Sequence, residues 1–217
     1  MPSEQLEDYL KNIYKIESAE GKVATTALSR KLGIAPASVT EMIKKLAEAG
    51  IVTHTPYHGV QLTKEGRKRA LQIIRRHRLW ETFLLEVLKF DWYEIDEEAD
   101  RLEHFTSKKL EQHIDELLGF PSTDPHGDAI PSSEGKLMDL PSESLDEVQE
   151  GQTVVVHRVS DSSPEILRLA SKLGIALNQK IKVKERIGFD GTLRVVVGRK
   201  EEFISSNLAQ NIFVEAD

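Results

Sequence analysis

The chain has 217 residues and no cysteine, which excludes disulfides, thiolate metal sites, iron–sulfur clusters and cysteine nucleophiles, so any metal site must be built from oxygen and nitrogen. The net charge of -7 argues against a nonspecific nucleic-acid coat. The charge is uneven, however: Arg67, Lys68, Arg69, Arg75, Arg76 and Arg78 crowd together while residues 91–103 are mostly carboxylate, and DNA binding by one region stays open. The sequence contains no apolar run of about 18 residues and no signal-peptide pattern at its start, so a cytoplasmic protein without membrane contact is expected, built from two or three small domains.

Residues 1–64 read as a winged helix-turn-helix. Ser3 starts a helical stripe of Leu6, Tyr9, Leu10, Ile13, Tyr14 and Ile16 that ends near Gly21. Thr25 or Thr26 is the expected N-cap of a short helix stopped by Gly33, and "PASVTEMIKKLAEAG" supplies a second helix after a tight turn. "IVTHTPYHGVQLT" alternates about Tyr57-His58-Gly59 as a hairpin, the wing. The second helix is placed to enter the major groove with Ala35, Pro36, Ala37, Ser38 and Thr40, whose small side chains, hydroxyls and methyls suit close approach to bases. Lys44, Lys45 and Arg30 are candidates for phosphate, with Thr26 and His58 as further candidates at the DNA surface. No Arg or Asn stands where a bidentate base contact is obvious, so readout leans on methyl contacts and DNA shape.

Residues 65–122 read as a helical domain: a long helix from Lys64 to about Lys89, one from about Glu94, and one from about Ser107 to Leu118. Its surplus of Leu, Phe and Trp80 fits either a core or a homodimer interface. On the long helix His77 and Glu81 stand four apart. On the next, Asp96, Asp100, Glu103 and His104 follow at steps of four, three and one, so each set shares a helix face. Imidazole and carboxylate together are ligands for Mn²⁺, Fe²⁺ and Zn²⁺. Charged residues at such spacing also make an ordinary solvated face, but Leu102 and Phe105 bracket Glu103-His104 with apolar side chains that a solvated face does not need.

Residues 123–147 are expected to be a linker or an irregular connection: Pro, Ser, Gly and Asp dominate from Gly119 to Gly151, and a loop histidine such as His126 is more often solvated than bound. Residues 148–217 read as short strands, "TVVVHRV", "KIKVKERI", "GTLRVVVG" and a closing "FISSNLAQNIFVEA", with one helix, "PEILRLASKLG", which Asp161 is placed to cap. Short strands with tight turns form a small barrel. The fold class is therefore mainly α with a small all-β domain: a winged helix-turn-helix, a helical domain and a C-terminal barrel, which the resemblance described next implies are a winged helix-turn-helix, a helical dimerisation domain and a C-terminal SH3-like barrel.

On "LEDYLKNIY", "RRHRLWETFL" and "EEADRLEHF" the chain resembles the diphtheria-toxin-repressor and manganese-transport-regulator family of metal-activated transcriptional repressors, over essentially its whole length. The resemblance implies a homodimer that binds Mn²⁺ or Fe²⁺ and represses metal-uptake genes at a palindromic operator, with no enzymatic activity and no other protein partner. It implies metal ligands at Asp8, His77, Glu81, Asp100, Glu103 and His104. Iron-type members carry methionine and cysteine where this chain has Asp8 and Asp100, so the ligands look like the manganese-type branch. Compact manganese-type members carry glutamate where this chain has Lys11, a departure at the position that supports a binuclear site. The segment "STDPHGDAIP" resembles one that supplies a Cys-Pro-His ligand sequence, here Asp124-Pro125-His126, and the SH3-like third domain implies an acidic ligand at Asp161 or Glu165. Mn²⁺ is the expected ion and Fe²⁺ the alternative, with Zn²⁺, Co²⁺ and Cd²⁺ able to substitute in vitro. In the absence of metal, mutual repulsion of Asp8, Asp100 and Glu103 is expected to loosen the first helix. Competing readings are a dinuclear metallohydrolase, for which no phosphate loop or nucleophile motif is present, and a metal-independent winged-helix regulator.

Overall fold

The structure is a computed structural model that describes residues 4–55 and 59–217. Ser3, Tyr57 and His58, on which the expected helix start, hairpin turn and a DNA-contact candidate fall, lie outside the described residues. The elements run α1 (Glu4–Glu20), α2 (Thr25–Leu32), α3 (Pro36–Glu48), β1 (Val52–Thr55), β2 (Gly59–Leu62), α4 (Lys64–Glu86), α5 (Ile95–Glu103) and α6 (Lys108–Leu117). After a 3-10 turn at Leu145–Glu147 come β3 (Thr153–Val159), α7 (Pro164–Lys172), β4 (Lys180–Arg186), β5 (Leu193–Val197), β6 (Lys200–Ile204), α8 (Ser206–Ala209) and β7 (Ile212–Ala216). Two compact units emerge: residues 1–77, 102–107 and 131–137, and residues 78–101, 108–130 and 138–217.

In the first unit α1 buries Tyr9, Leu10 and Ile13 against Leu28 of α2, Val39, Ile43 and Leu46 of α3, and Val60 of β2. The apolar periodicity of the three helices thus closes one small core. The turn between α2 and α3 is fixed by Gly33 in the left-handed region at φ 65, and the Ser29 hydroxyl donates to the Ile34 carbonyl at 2.6 Å. Neither Thr25 nor Thr26 caps α2. Ala24 holds the extended cap position with no side-chain bond, because Val23 is already paired through its carbonyl to the Val60 amide at 2.9 Å and the helix begins directly after it. Gly66 lets the start of α4 lie on the β1 approach, where a Cβ would meet the Ile51 carbonyl oxygen at 2.1 Å.

The second unit carries two cores. Leu79, Ile114 and Ile130 pack with Trp80 and Phe83, whose rings meet edge to face at 5.5 Å. The other core fills an antiparallel five-stranded sheet of order β6-β5-β4-β3-β7, the SH3-like barrel, from Val156, Val183, Val195 and Val214, closed by Leu167 and Ala170 of α7. Register shifts between Val156 and Arg158 and between Val183 and Glu185 bend the sheet. Helix α7 is capped by Ser163, whose side chain accepts from the Glu165 amide, and not by Asp161: Pro164 at the first helical position sets the cap one residue before itself.

Candidate metal centre

In the first unit, α1 and the end of α5 bring together Asp8, Glu103 and His104, each with one donor atom within 4.8 Å of the others. His104 lies just past α5, so its side chain is set by the turn rather than by helical phase. Its Nδ1 is 2.8 Å from Glu7 Oε2, and since a carboxylate only accepts, Nδ1 donates. Nε2 lies 3.2 Å from Asp8 Oδ1 and 3.6 Å from Glu103 Oε1. Two carboxylates and an imidazole converging in this way are a donor set that fits a divalent ion.

The surrounding shell fixes these groups. Arg76 donates from Nη2 to Glu7 Oε1 at 3.0 Å and from Nε to the Glu103 carbonyl at 2.8 Å, so it clamps the carboxylate that orients His104. Glu103 is fully buried; its Oε2 accepts from His77 Nδ1 at 2.6 Å and its Oε1 from Lys11 Nζ at 2.8 Å. Burial pushes the Glu103 carboxyl up, but the hydrogen bond and charge of His77 with the Lys11 ammonium outweigh it and hold it below the ordinary glutamate range. The expected repulsion is therefore corrected at Glu103, whose charge is already compensated by Lys11 and His77.

In the second unit the segment after α6 is an irregular connection held by hydrogen bonds. Asp124 Oδ1 accepts from the amides of His126 at 2.8 Å and Asp128 at 2.9 Å, and the His126 carbonyl accepts from the Val159 amide at 2.9 Å, pinning the loop on β3. Gly127, at φ 90, makes that approach possible: a Cβ there would meet the His157 carbonyl oxygen at 2.0 Å. Trp92 Nε1 donates to the Pro125 carbonyl at 3.0 Å and its ring lies 5.4 Å from that of His126. The solvated-loop expectation fails here, since His126 is 0% exposed.

His126 Nε2 lies 3.4 Å from Glu81 Oε1 without the alignment of a hydrogen bond, and Nδ1 has no hydrogen-bond partner. A fully buried imidazole without hydrogen bonds is rare, and it fits a ligand position. Burial lowers the His126 pKa, but Glu81, Asp124 and Asp161 together raise it above the ordinary value. Asp124 is pushed up to about 7 by burial first and then by the Glu81 charge, against the pull of Arg78, whose Nε is 3.2 Å from Asp124 Oδ2. Asp161 is the acidic residue of the strand-helix junction whose charge reaches His126; Glu165 is exposed and bonded to Ser163. Among the described residues Asp124, His126 and Asp161 belong to no group of three donors as tight as the first.

The remaining candidates fall as follows. His77 and Glu81 are buried one turn apart on α4, Asp96 is half-buried in the first turn of α5, and Asp100 is exposed. Thr26, Arg30, Ala35, Pro36, Ala37, Ser38, Lys44 and Lys45 are exposed on α2 and α3, while the Thr40 hydroxyl donates back to the Pro36 carbonyl at 2.9 Å. The basic run on α4 divides: Arg67 and Arg69 are exposed, whereas Arg75 donates to the Pro131 carbonyl at 2.8 Å and Arg76 and Arg78 hold internal carboxylates. Sequence reading missed Glu7, Arg76 and Arg78. The one signal for Glu7 is its place beside Asp8, and the arginines were masked by their basic neighbours.

Residues 1–60 match the family model for the N-terminal DNA-binding domain of iron-dependent repressors, residues 63–132 the metal-binding and dimerisation domain of the same proteins, and residues 143–216 the FeoA domain. An uncharacterized HTH-type transcriptional regulator of Methanocaldococcus jannaschii is 38% identical over 113 residues, covering 52% of this chain and 90% of that protein. The iron-dependent repressor IdeR of Mycobacterium tuberculosis is 26% identical over 221 residues, covering 96% of each. Among solved structures, a manganese-dependent transcriptional repressor in complex with manganese aligns with a TM-score of 0.90 at 38% identity, covering 98% of this chain and 100% of that one. ScaR with bound Cd²⁺ aligns at 0.84 and 30% identity over 100% of both.

Proposed function

The chain belongs to the iron-dependent repressor family and is a metal-dependent transcriptional repressor, and on that premise we propose that Mn²⁺ is its activating ion and that it acts as a homodimer on a palindromic operator. The observation that carries the metal reading is His104, whose Nε2 faces Asp8 and Glu103 oxygens at 3.2 and 3.6 Å. Asp8, Glu103 and His104 would hold one ion, and Glu81, Asp124, His126 and Asp161 are the candidates for a second position. Every one of these donors is oxygen or imidazole nitrogen, without thioether or thiolate, which favours Mn²⁺ over softer ions. Bound there, a divalent ion supplies the positive charge that links the first helix of the DNA-binding domain to the corner after α5. Glu7, held by Arg76, keeps His104 in the tautomer that leaves Nε2 available, and Gly33 sets the angle at which α3 presents Ala35 to Ser38. Exposed Leu88, Phe90, Leu117 and Phe120 of the second unit provide apolar surface of the kind a second copy covers.

The test is operator binding by gel shift with and without Mn²⁺, repeated with Fe²⁺ under reducing conditions, beside an assay for phosphoester hydrolysis. Metal-dependent retardation at lower Mn²⁺ than Fe²⁺, without hydrolysis, is expected. Retardation indifferent to metal would overturn the reading, and hydrolysis would move the protein to the metallohydrolases.

A further inference from the structure

The end of α4, the loop that leads to His126 and the turn after α7 border a cleft of about 630 Å³ in the second unit, a volume within the range of sites that hold small molecules. Its walls are fixed by bonds within the chain. Trp92 donates from Nε1 to the Pro125 carbonyl at 3.0 Å. Gly174, at φ 70, turns the chain at the end of α7 so that the Ile175 amide donates back to the Ala170 carbonyl at 2.9 Å, which buries Ile175 and leaves Ala176 exposed at the cleft. Leu85, Trp92, Pro125 and Leu177 are half-buried there and give the cleft apolar walls.

The ionisable groups among the lining residues are Glu86 and Asp124, both carboxylates. Asp124 is already matched: its Oδ2 lies 3.2 Å from Arg78 Nε and its Oδ1 accepts from the amides of His126 and Asp128. Glu86 is exposed, and among the described residues its carboxylate has neither an ion pair nor a hydrogen bond. We propose that the cleft is a binding site for a small organic amine, with an ammonium group paired to Glu86 and an aromatic or branched apolar body seated among Leu85, Trp92, Pro125 and Leu177. Apolar walls select an apolar body, and the indole of Trp92 adds an aromatic ring that favours a cation beside it. With no cation in the lining, phosphates and carboxylic acids find no partner and meet the Glu86 charge as a repulsion. Because the walls hold their shape through bonds within the chain, little ordering opposes binding. The site stands apart from the metal reading and is tested without metal.

The probes are phenethylamine and 3-methylbutylamine, with 2-phenylethanol as the neutral counterpart and 3-phenylpropionate as the anionic one, titrated into the full-length chain in EDTA at low ionic strength. In Trp80→Phe the one tryptophan left is Trp92, and its fluorescence reports occupancy. Saturation-transfer NMR on the ligand gives the same reading from the unsubstituted chain if that variant does not fold. Both amines should saturate with a Kd on the order of 1 mM, 2-phenylethanol should bind about three- to tenfold more weakly, and 3-phenylpropionate should not bind. Glu86→Gln should bring phenethylamine level with 2-phenylethanol, and Ala176→Trp, which fills the cleft, should abolish binding of both amines. Positions 86 and 176 are exposed, so both variants should melt with the parent. Amines that do not saturate, an alcohol that binds as tightly as the amine, or binding that survives Ala176→Trp overturns the proposal. Loss of the dimer in Ala176→Trp by sedimentation velocity, without amine binding to the parent, would identify the cleft as a contact between copies and overturn it as well.

Discussion

Asp8 is the member of the first set that belongs to the DNA-binding domain, and its replacement by alanine separates metal binding from metal response. Its side chain is 38% exposed and contributes one oxygen, 3.2 Å from His104 Nε2, while the backbone carbonyl that accepts from Asn12 at 2.9 Å survives the substitution. Alanine is also the better helix former in α1. The metal-free stability of Asp8→Ala is therefore expected within about 0.5 kcal/mol of the parent. Metal still finds Glu103 and His104, more weakly. The coupling is what disappears: a typical allosteric linkage of about 1 to 3 kcal/mol, or roughly 5- to 150-fold in operator affinity, needs a contact that differs between the domain arrangements, and Asp8 supplies it. The assay is operator affinity by fluorescence anisotropy at saturating Mn²⁺, each protein against its own metal-free value. The parent should gain at least fivefold and Asp8→Ala should gain less than twofold. An undiminished gain in Asp8→Ala would refute the role given to α1 and move the switch to the dimer contact or to the second unit.

Glu7→Gln keeps the shape beside His104 but weakens the acceptor for Nδ1 and breaks the ion pair with Arg76, so Mn²⁺ affinity measured by calorimetry should fall about 10- to 100-fold with little change in fold. Gly127→Ala forces a Cβ onto the His157 carbonyl at φ 90, and urea unfolding should show a loss of about 2 kcal/mol or more, with near-ultraviolet dichroism reporting displacement of Trp92. His157 is lowered from its ordinary pKa by burial first and then by the Arg158 charge; the unfolded chain binds the proton more readily, so its contribution to stability is present above about pH 6.5 and lost as pH falls below it, and His157→Gln should flatten melting temperature against pH in that window. Lys44→Ala should weaken binding to all DNA sequences alike and lower the salt slope by about one, whereas Ser38→Ala should act on discrimination between operator and nonspecific DNA; equal loss of discrimination from both would contradict the assigned orientation of α3.

Periodicity made the helices and strands legible because each buries one face: Tyr9, Leu10 and Ile13 on α1, or Val39, Ile43 and Leu46 on α3, are spaced as their burial requires. Glycines marked the true ends of α2 and of the loop before the barrel. What periodicity does not carry is the partner of a charged side chain. Arg67 and Arg76 are indistinguishable in the sequence, yet one is exposed and the other is inserted between Glu7 and the Glu103 carbonyl, because chain from α1 and α5 happens to cover that part of α4. The Pro-rich composition around Asp124 and His126 correctly excluded helix and strand there but said nothing about burial, since Asp124 satisfies the loop amides through its own side chain. Glu165 and Asp161 were equivalent in sequence; in the structure Ser163 at the helix cap engages Glu165.

The cations inside the two units change what a metal has to do. A cluster of bare carboxylates would hold the metal-free protein open by repulsion, and any divalent or even monovalent ion would relieve it. Here Glu103 is matched by Lys11, Glu7 by Arg76, and Asp124 and Asp128 by Arg78, so most of the charge is balanced without metal. What a metal would add is local: His104 Nε2 stands 3.2 Å from Asp8 Oδ1 and 3.6 Å from Glu103 Oε1, and His126 Nε2 stands 3.4 Å from Glu81 Oε1. Salt screens a diffuse repulsion but does not supply a ligand bond. Metal response that persists at high ionic strength is therefore the behaviour this arrangement requires, and 0.5 M KCl should leave the ratio of operator affinities with and without Mn²⁺ nearly constant while both affinities fall. A ratio that collapsed with salt would mean that long-range repulsion, and not ligation at His104, drives the switch.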